Sequence, residues 1–491
     1  MEQTKKYEYL SEDPQAKVLP IMLSIIIGAF FAILNETLLN IALTTLMREF
    51  SVSITTVQWM ATGFMLVMGI VIPASALLLQ WFTTRQMFLG TMTIFTLGTI
   101  ICALAPNFPV LITGRLLQAV GTGLLMPVIF NTFLLIYPPH KRGAVMGIVG
   151  LVIMFAPAIG PTLSGVIVQH LGWRFLFITV IPFTIFSILF GYKYLRNVGE
   201  VTKPKIDFIS IIYSTIGFGS IIYGFSSVGQ KEKGFLDPFV IGCIVIGLIA
   251  LTLFVRRQLT SEHPLMDLRV FRYPMYRLSV FLFVLVIMLM FASEIVLPLY
   301  MQGPLALTAS AAGLILLPGS ILNGLLSPVM GKLFDKFGPR PLMIPATIML
   351  ALMMFAFSRL DINSSTGYII TCYLLLMVSI SAIMMPAQTN GLNQLPKAMY
   401  PHGTAIMSTL QPVGGAIGVS VFISIMNTRQ SKLLEGKETM VPSDVLKAMV
   451  SGVELVYFVG FGLAIVAVIL ALFVKRAKPE PEENAIEQGQ Q

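Results

Sequence analysis

The chain has 491 residues, 56% of them hydrophobic and 11% charged, with a formal net charge of +9. Soluble domains carry about 25% charged residues, so this composition excludes a soluble protein and points to an integral membrane one. The basic surplus lies in short loops between oily segments, where it sets topology rather than nucleic-acid binding. Cys102, Cys243 and Cys372 each fall inside an apolar segment, with no disulfide framework or zinc spacing.

Residues 1–17 form a polar tail, and the apolar chain begins at Val18 without a cleavage site, so the first segment reads as a retained helix. A bilayer core takes about 20 apolar residues per helix. That ruler predicts fourteen spans, at 18–43, 55–79, 87–105, 109–136, 144–167, 175–195, 207–226, 236–255, 278–302, 310–330, 341–358, 367–391, 403–426 and 452–474. An even count puts both ends of the chain on one side. Lys and Arg concentrate in the tails and even-numbered loops, which places that side in the cytoplasm. The loop at 427–451 is too small for a domain, and residues 475–491 read as a disordered tail.

Four apolar spans carry charge or polarity. Span one contains "LNETLLNIAL" (34–43), with Asn35, Glu36 and Asn40; span four carries Arg115 and Gln118; span nine carries Glu294; span twelve carries Gln388 and Asn390. A charge at the bilayer centre costs about 2.5–3.5 kcal/mol on insertion scales. At about 1.5 Å per residue, Glu36, Arg115 and Glu294 all lie roughly 12–16 Å from the outer surface. One shared cavity is therefore expected, with Glu36 and Glu294 as proton or cation sites and Arg115 tuning them. Burial favours the protonated carboxyl and a nearby cation the ionised one, so such acids can load and release a proton. Asn35, Asn40, Gln118, Gln388 and Asn390 either contact substrate in that cavity or bond helix to helix.

The stretch opening "MPVIFNTFLLIYPPHKRG" (126–143) is matched by "MPAQTNGLNQLPKAMYPHG" (385–403), and "ALLLQWFTTR" (76–85) by "GKLFDKFGPR" (331–340). Two halves of six helices follow, 18–195 and 278–474, with 207–255 as two inserted helices. Repeats with a site at their interface characterise secondary transporters.

Taken in order, "LNETLLNIAL", "GRLLQAVGTG" (114–123), "APAIGPTLSG" (156–165) followed by "WRFLF" (173–177), and "GKLFDKFGPR" resemble the motifs of the major facilitator superfamily. More narrowly, the chain is similar to its fourteen-helix drug:proton antiporter-2 family (EmrB/QacA-type), lincomycin-resistance branch. Asn35 stands where that family often has Asp, with Glu36 beside it. The resemblance implies an all-α membrane fold of 6+2+6 helices with pseudo-twofold halves, and proton-coupled efflux of amphipathic or cationic drugs across the cell membrane; the partner-free look of the chain favours a monomer, and no cofactor is expected. It further implies that Pro157, Gly160, Pro161 and Gly165 govern rocking of the halves, and that Gly331, Asp335, Gly338 and Arg340 latch the cytoplasmic side. Asp335 either caps a helix or pairs with Arg340 or another loop.

The chain has no phosphate-binding G-x-x-x-x-G-K-[ST] loop. His140, His170, His263 and His402 lie far apart in or near loops, which argues against an enzyme. Export of an endogenous peptide, lipid or nucleotide-like metabolite stands as the alternative, and a transporter-like sensor stands behind it.

Overall fold

A computed structural model describes residues 9–13, 17–199, 201–228, 233–261, 264–434 and 442–477. Within these, every extended element is helical and no strand occurs. The α-helices are α1 (Val18–Phe50), α2 (Ile54–Val71), α3 (Ser75–Trp81), α4 (Thr84–Ala103), α5 (Phe108–Ile136), α6 (Arg142–His170), α7 (Phe175–Ile178) and α8 (Ile181–Tyr194). They continue with α9 (Phe208–Ser227), α10 (Pro238–Thr260), α11 (Pro274–Gln302), α12 (Ala309–Phe337), α13 (Arg340–Phe357), α14 (Thr366–Asn393), α15 (Tyr400–Leu434) and α16 (Pro442–Phe473).

Among the described residues, 13 segments are long and apolar enough to cross a membrane. α2 and α3 form one of them, Trp59–Trp81, and α7 and α8 another, Phe175–Tyr194. The predicted span at 144–167 falls inside α6, a continuous helix of 29 residues that is not one of the 13. Several helices outrun their predicted spans: α1 by seven residues to Phe50, and α16 by ten at its start. An apolarity ruler stops at the first charges, whereas backbone hydrogen bonding continues through them. For the same reason the expected loop at 427–451 is helix over 427–434 and 442–451, and 435–441 lie outside the described residues. Of the two predicted tails, residues 1–8, 14–16 and 478–491 also lie outside them.

Polar caps set where the helices start. Ser53 opens α2, Asn107 α5, Thr308 α12 and Ser365 α14, each accepting from a backbone N–H of the first turn. Thr83 and Gln86 form a reciprocal capping box on α4. The buried side chains gather in two large clusters. One includes Leu38, Phe88, Phe130 and Trp173 and runs into α11 as far as Val280. The other starts at Leu282 and includes Met354, Tyr373 and Tyr457. The α9–α10 hairpin packs on both α2 and α15: Ile222 occupies the space a Cβ on Gly69 would need, and Ser420 Oγ donates to the Phe225 carbonyl at 2.6 Å.

Chain ends and gate segments share one face of the molecule, here the terminal face. There Arg476 Nη2 donates to the Asp335 carbonyl at 2.7 Å, and Tyr9 lies against Arg142 and Lys397.

The α9–α10 hairpin is closed on this face by a bidentate pair. Arg257 Nε donates to Asp207 Oδ2 at 2.6 Å and Nη2 to Oδ1 at 3.0 Å, while Ser210 Oγ donates to Oδ2 at 2.7 Å. The Arg257 hydrogen bonds hold the Asp207 carboxyl down at about 2, against the pull of partial burial. The folded value lies below the unfolded one of about 3.9. The pair therefore stabilises the fold above that pH and loses its contribution as pH falls toward 2. Asp207→Asn should lower the melting temperature of the detergent-solubilised protein at pH 7. The gap to wild type should close as pH is lowered from about 4 toward 2, and a gap independent of pH over that window would contradict the assignment.

Candidate functional site

Close approach of α4 and α5 builds the first part of the site. A Cβ on Gly98 would lie 2.6 Å from the Gly114 carbonyl oxygen, and one on Gly121 would lie 2.7 Å from Phe95 Cβ. With the backbones this near, Gln118 Nε2 donates to Thr99 Oγ1 at 2.8 Å. Gln118 Oε1 then accepts from Arg115 Nη1 at 3.2 Å.

Arg115 is 2% exposed. Its Nη1 also donates to Asn35 Oδ1 at 3.1 Å, its Nη2 to the Glu36 carbonyl at 3.0 Å and its Nε to the Met60 carbonyl at 3.3 Å. The guanidinium carbon lies 4.0 Å from the centre of the Phe64 ring, within cation–π range. Every one of these acceptors is neutral. Among the described residues the salt bridges are Arg174–Glu49 and Arg257–Asp207, so neither Glu36 nor Glu294 is in an ion pair within 4 Å. The half-buried Glu36 carboxylate nonetheless lies within electrostatic reach of Arg115. Asn35 and Gln118 therefore hold the arginine. The side chain of Asn40 lies outside the described residues, and buried Gln388 makes no side-chain hydrogen bond among the described residues.

Glu294 belongs to a different neighbourhood. It is exposed on α11. It interacts electrostatically with Tyr373 of α14, whose hydroxyl shares a hydrogen bond with Ser320 Oγ of α12 at 3.2 Å. Pro298, one turn on, has no N–H to give the Glu294 carbonyl. Side chain and backbone thus present polar oxygens at one level. No bond links Glu294 with Glu36 or Arg115; the structure joins the latter two and leaves Glu294 apart from them.

The second part of the site is a gate at the terminal face. Asp335 of α12 caps α6: Gly143 N–H donates to Oδ1 and Ala144 N–H to Oδ2, both at 2.8 Å. A carboxylate at a helix N-terminus is favoured by the helix dipole as well as by these bonds. Gly331 and Gly143 touch backbone to backbone, leaving no room for a Cβ on either. A Cβ on Gly147 would sit 2.6 Å from Pro328 Cα, and Gly150 meets Ser327 and Met385. Farther along, Gly160 abuts Thr37 of α1, and Ser164 Oγ donates to the Leu38 carbonyl at 2.5 Å. Gly165, expected to allow close approach, faces open space, as does Gly313 of α12. The α6–α12 seam is closely packed at the terminal face. α6 runs through Pro157 and Pro161 without a break, the Pro161 side chain lying outside the described residues.

Two expectations are corrected here. Asn390 does not face the cavity: its Nδ2 donates to the Lys475 carbonyl and its Oδ1 accepts from Ala477 N–H, both at 3.0 Å, tying down the segment after α16. Arg340 does not pair with Asp335; it donates to the carbonyls of Val474 at 2.7 Å and Leu472 at 3.2 Å, closing the end of α16. Gly338 makes the expected turn, at φ 82°.

Sequence reasoning missed Arg142. Left between the predicted spans 109–136 and 144–167, it is fully buried, donating to Asn393 Oδ1 at 3.0 Å, to the Tyr400 hydroxyl at 2.9 Å and to the Leu134 and Tyr137 carbonyls. His402, its counterpart in the repeat, accepts from Asp267 N–H on Nδ1 at 3.1 Å, and its Nε2 meets the Gln80 amide at 3.3 Å. The repeat alignment itself was the available signal, since it paired Arg142 with His402 across the two halves.

The Major Facilitator Superfamily, as a family, matches residues 25–419. The lincomycin resistance protein LmrB of Bacillus subtilis (strain 168) is 50% identical over 465 residues, covering 94% of this chain and 97% of that protein. LmrB of Listeria innocua is 49% identical over 460 residues, with the same coverage. The crystal structure of the human organic anion transporter MFSD10 (TETRAN) superposes with a TM-score of 0.63 at 13% identity, over 93% of this chain and 100% of that one. At that identity the likeness is one of fold alone.

Gly331→Ala and Gly165→Ala should behave oppositely. The first forces a methyl group into the Gly143 backbone and should cost about 1–3 kcal/mol of the closed form, read as a lower melting temperature. The second meets open space and replaces a helical glycine, so it should be neutral or stabilising by up to about 1 kcal/mol. Equal effects of the two would refute the seam.

Proposed function

The chain belongs to the Major Facilitator Superfamily, in its lincomycin-resistance branch, and from that membership we propose that it exports amphipathic or cationic drugs across the cell membrane in exchange for protons. Fourteen spans arranged as 6+2+6, with α6 as the fifth, and a cytoplasmic terminal face belong to the same reading. In that reading Asp335, capping α6, seals the cytoplasmic side. Lincomycin, named for the relatives at 50% identity, is the first cargo to test.

The observation that carries the proposal is the buried Arg115 guanidinium seated on the Glu36 backbone while the Glu36 carboxylate stays out of any close ion pair. A carboxylate locked to that cation would stay ionised. One held at a distance can take a proton when the site faces outward and lose it when the site faces inward. A proton entering down 100 mV supplies about 2.3 kcal/mol. Thr37, next to Glu36, abuts Gly160, so a change of charge on α1 is felt by α6. About 17 residues and 25 Å along that helix stands the Asp335 cap. Glu294, beside Tyr373 and apart from Arg115, serves as the cation-attracting acid for cargo in the second half of the cycle.

In inverted membrane vesicles, Glu36→Gln should abolish both drug-driven proton movement and drug uptake while the protein remains in the membrane at wild-type amount. Glu294→Gln should weaken export of cationic drugs by at least tenfold and spare proton movement with a neutral cargo. Unchanged exchange in the Glu36 variant would end the proton-coupling reading. Unchanged export of cationic drugs in the other variant would remove Glu294 from it.

A further inference from the structure

A cavity of about 330 Å³ opens at the terminal face where α1, α4 and α8 end, well away from the Arg115 site. Lys17 from the approach to α1, Arg85 from the first turn of α4, and Lys193 and Arg196 from the end of α8 line it, with Tyr194 and Asn197. No acid is among the lining residues, and none of the four cations is in an ion pair within 4 Å among the described residues. Four like charges brought into one cavity repel each other, an arrangement that an anion relieves. Arg85 is fixed in place: it donates through Nη2 to the Tyr192 carbonyl, stacks 4.5 Å over the Tyr192 ring, and its N–H donates to Asn197 Oδ1 at 3.2 Å.

The surface beside the cavity is apolar and open. Leu189, one turn before Lys193, is 63% exposed, and Phe186 before it is 46% exposed; on α1, Leu19 and Leu23 are likewise exposed. Residues four and seven positions back along a helix share its face, so a strip of apolar side chains leads from the cations toward the bilayer centre. α1 and α8 pack together here, with Ser187 filling the space beside Gly28.

We infer that this cavity binds the phosphate of an anionic membrane lipid, with the acyl chains lying on the Phe186–Leu189 and Leu19–Leu23 strips. A free phosphate would use the cations but not the apolar strips, and the strips favour the lipid. Basic pockets between transmembrane helices at the cytoplasmic side have the right chemistry for such headgroups. The assignment does not depend on the cargo or on proton coupling.

Native mass spectrometry of the full-length protein in detergent, titrated with phosphatidylglycerol or phosphatidylcholine, tests the inference. Wild type should retain phosphatidylglycerol in preference. Each cation removed should weaken retention about fivefold, so K17Q/K193Q/R196Q should lose on the order of 100-fold. K203Q/K205Q/R256Q, which removes three cations outside the cavity, should retain the lipid as wild type does. If the first triple variant fails to fold, Arg196→Gln alone, at an exposed position, should still show the single-charge loss. Equal losses in the two triple variants would mean general surface charge and overturn the site. Displacement of phosphatidylglycerol by equimolar inorganic phosphate would overturn the lipid assignment.

Discussion

A guanidinium sealed inside a membrane helix bundle must find hydrogen-bond acceptors or it destabilises the fold by several kcal/mol. Arg115 finds them in three helices at once: the Asn35 amide and Glu36 carbonyl of α1, the Met60 carbonyl of α2 and Gln118 of its own α5. Asn35 meets the guanidinium as an amide and so brings no counter-charge. The remaining acid, Glu36, stands one residue on, turned by about 100° around the helix. The positive charge is thus solvated but not neutralised. That leaves a field in which a neighbouring carboxyl responds strongly to its surroundings.

α6 is held at two places along its length by contacts that tolerate no slack. At Gly160 it has no room to move against Thr37, and at Gly143, Gly147 and Gly150 it has none against α12. A rod fixed at two points moves as one body. The contacts at its terminal-face end are glycine against backbone plus two N–H bonds to Asp335, with little side-chain surface to rearrange. Such a seam opens or stays shut as a unit.

The helices were legible in the sequence because a bilayer demands long apolar runs. Among the described residues, 13 of the expected spans fall on helices long and apolar enough to cross a membrane, and the span at 144–167 falls on a continuous helix. The partnership of Arg115 with the Asn35–Glu36 segment was legible too, since a buried charge must have company. Depth alone, however, does not say which way a side chain points around its helix. Glu294 shares the level of Glu36 yet faces Tyr373 instead of Arg115. Arg142 and Asn390 were misplaced for a related reason. Charge left between spans reads as loop and an amide in an apolar run reads as cavity, but close packing of the two halves buries the first and a returning chain segment consumes the second.

The repeat is most informative where it breaks. An offset of 255 sets Asp335 against Gln80, and each reaches the start of the fifth helix of the opposite repeat: Asp335 the amides of α6, Gln80 the His402 ring on α15. The position is kept while the chemistry differs. One latch has a full negative charge on a helix N-terminus with two bonds of 2.8 Å. The other has a neutral amide against an imidazole at 3.3 Å, with the ring's second nitrogen held by Asp267 N–H. Charge-assisted bonds are roughly twice as strong as neutral ones, so the two seams are not equivalent. The latch between α3 and α15 is the weaker of the two. The α9–α10 hairpin, lying across α2 and α15 through Ile222 and the Ser420–Phe225 bond, then braces the seam whose own latch has lost its charge.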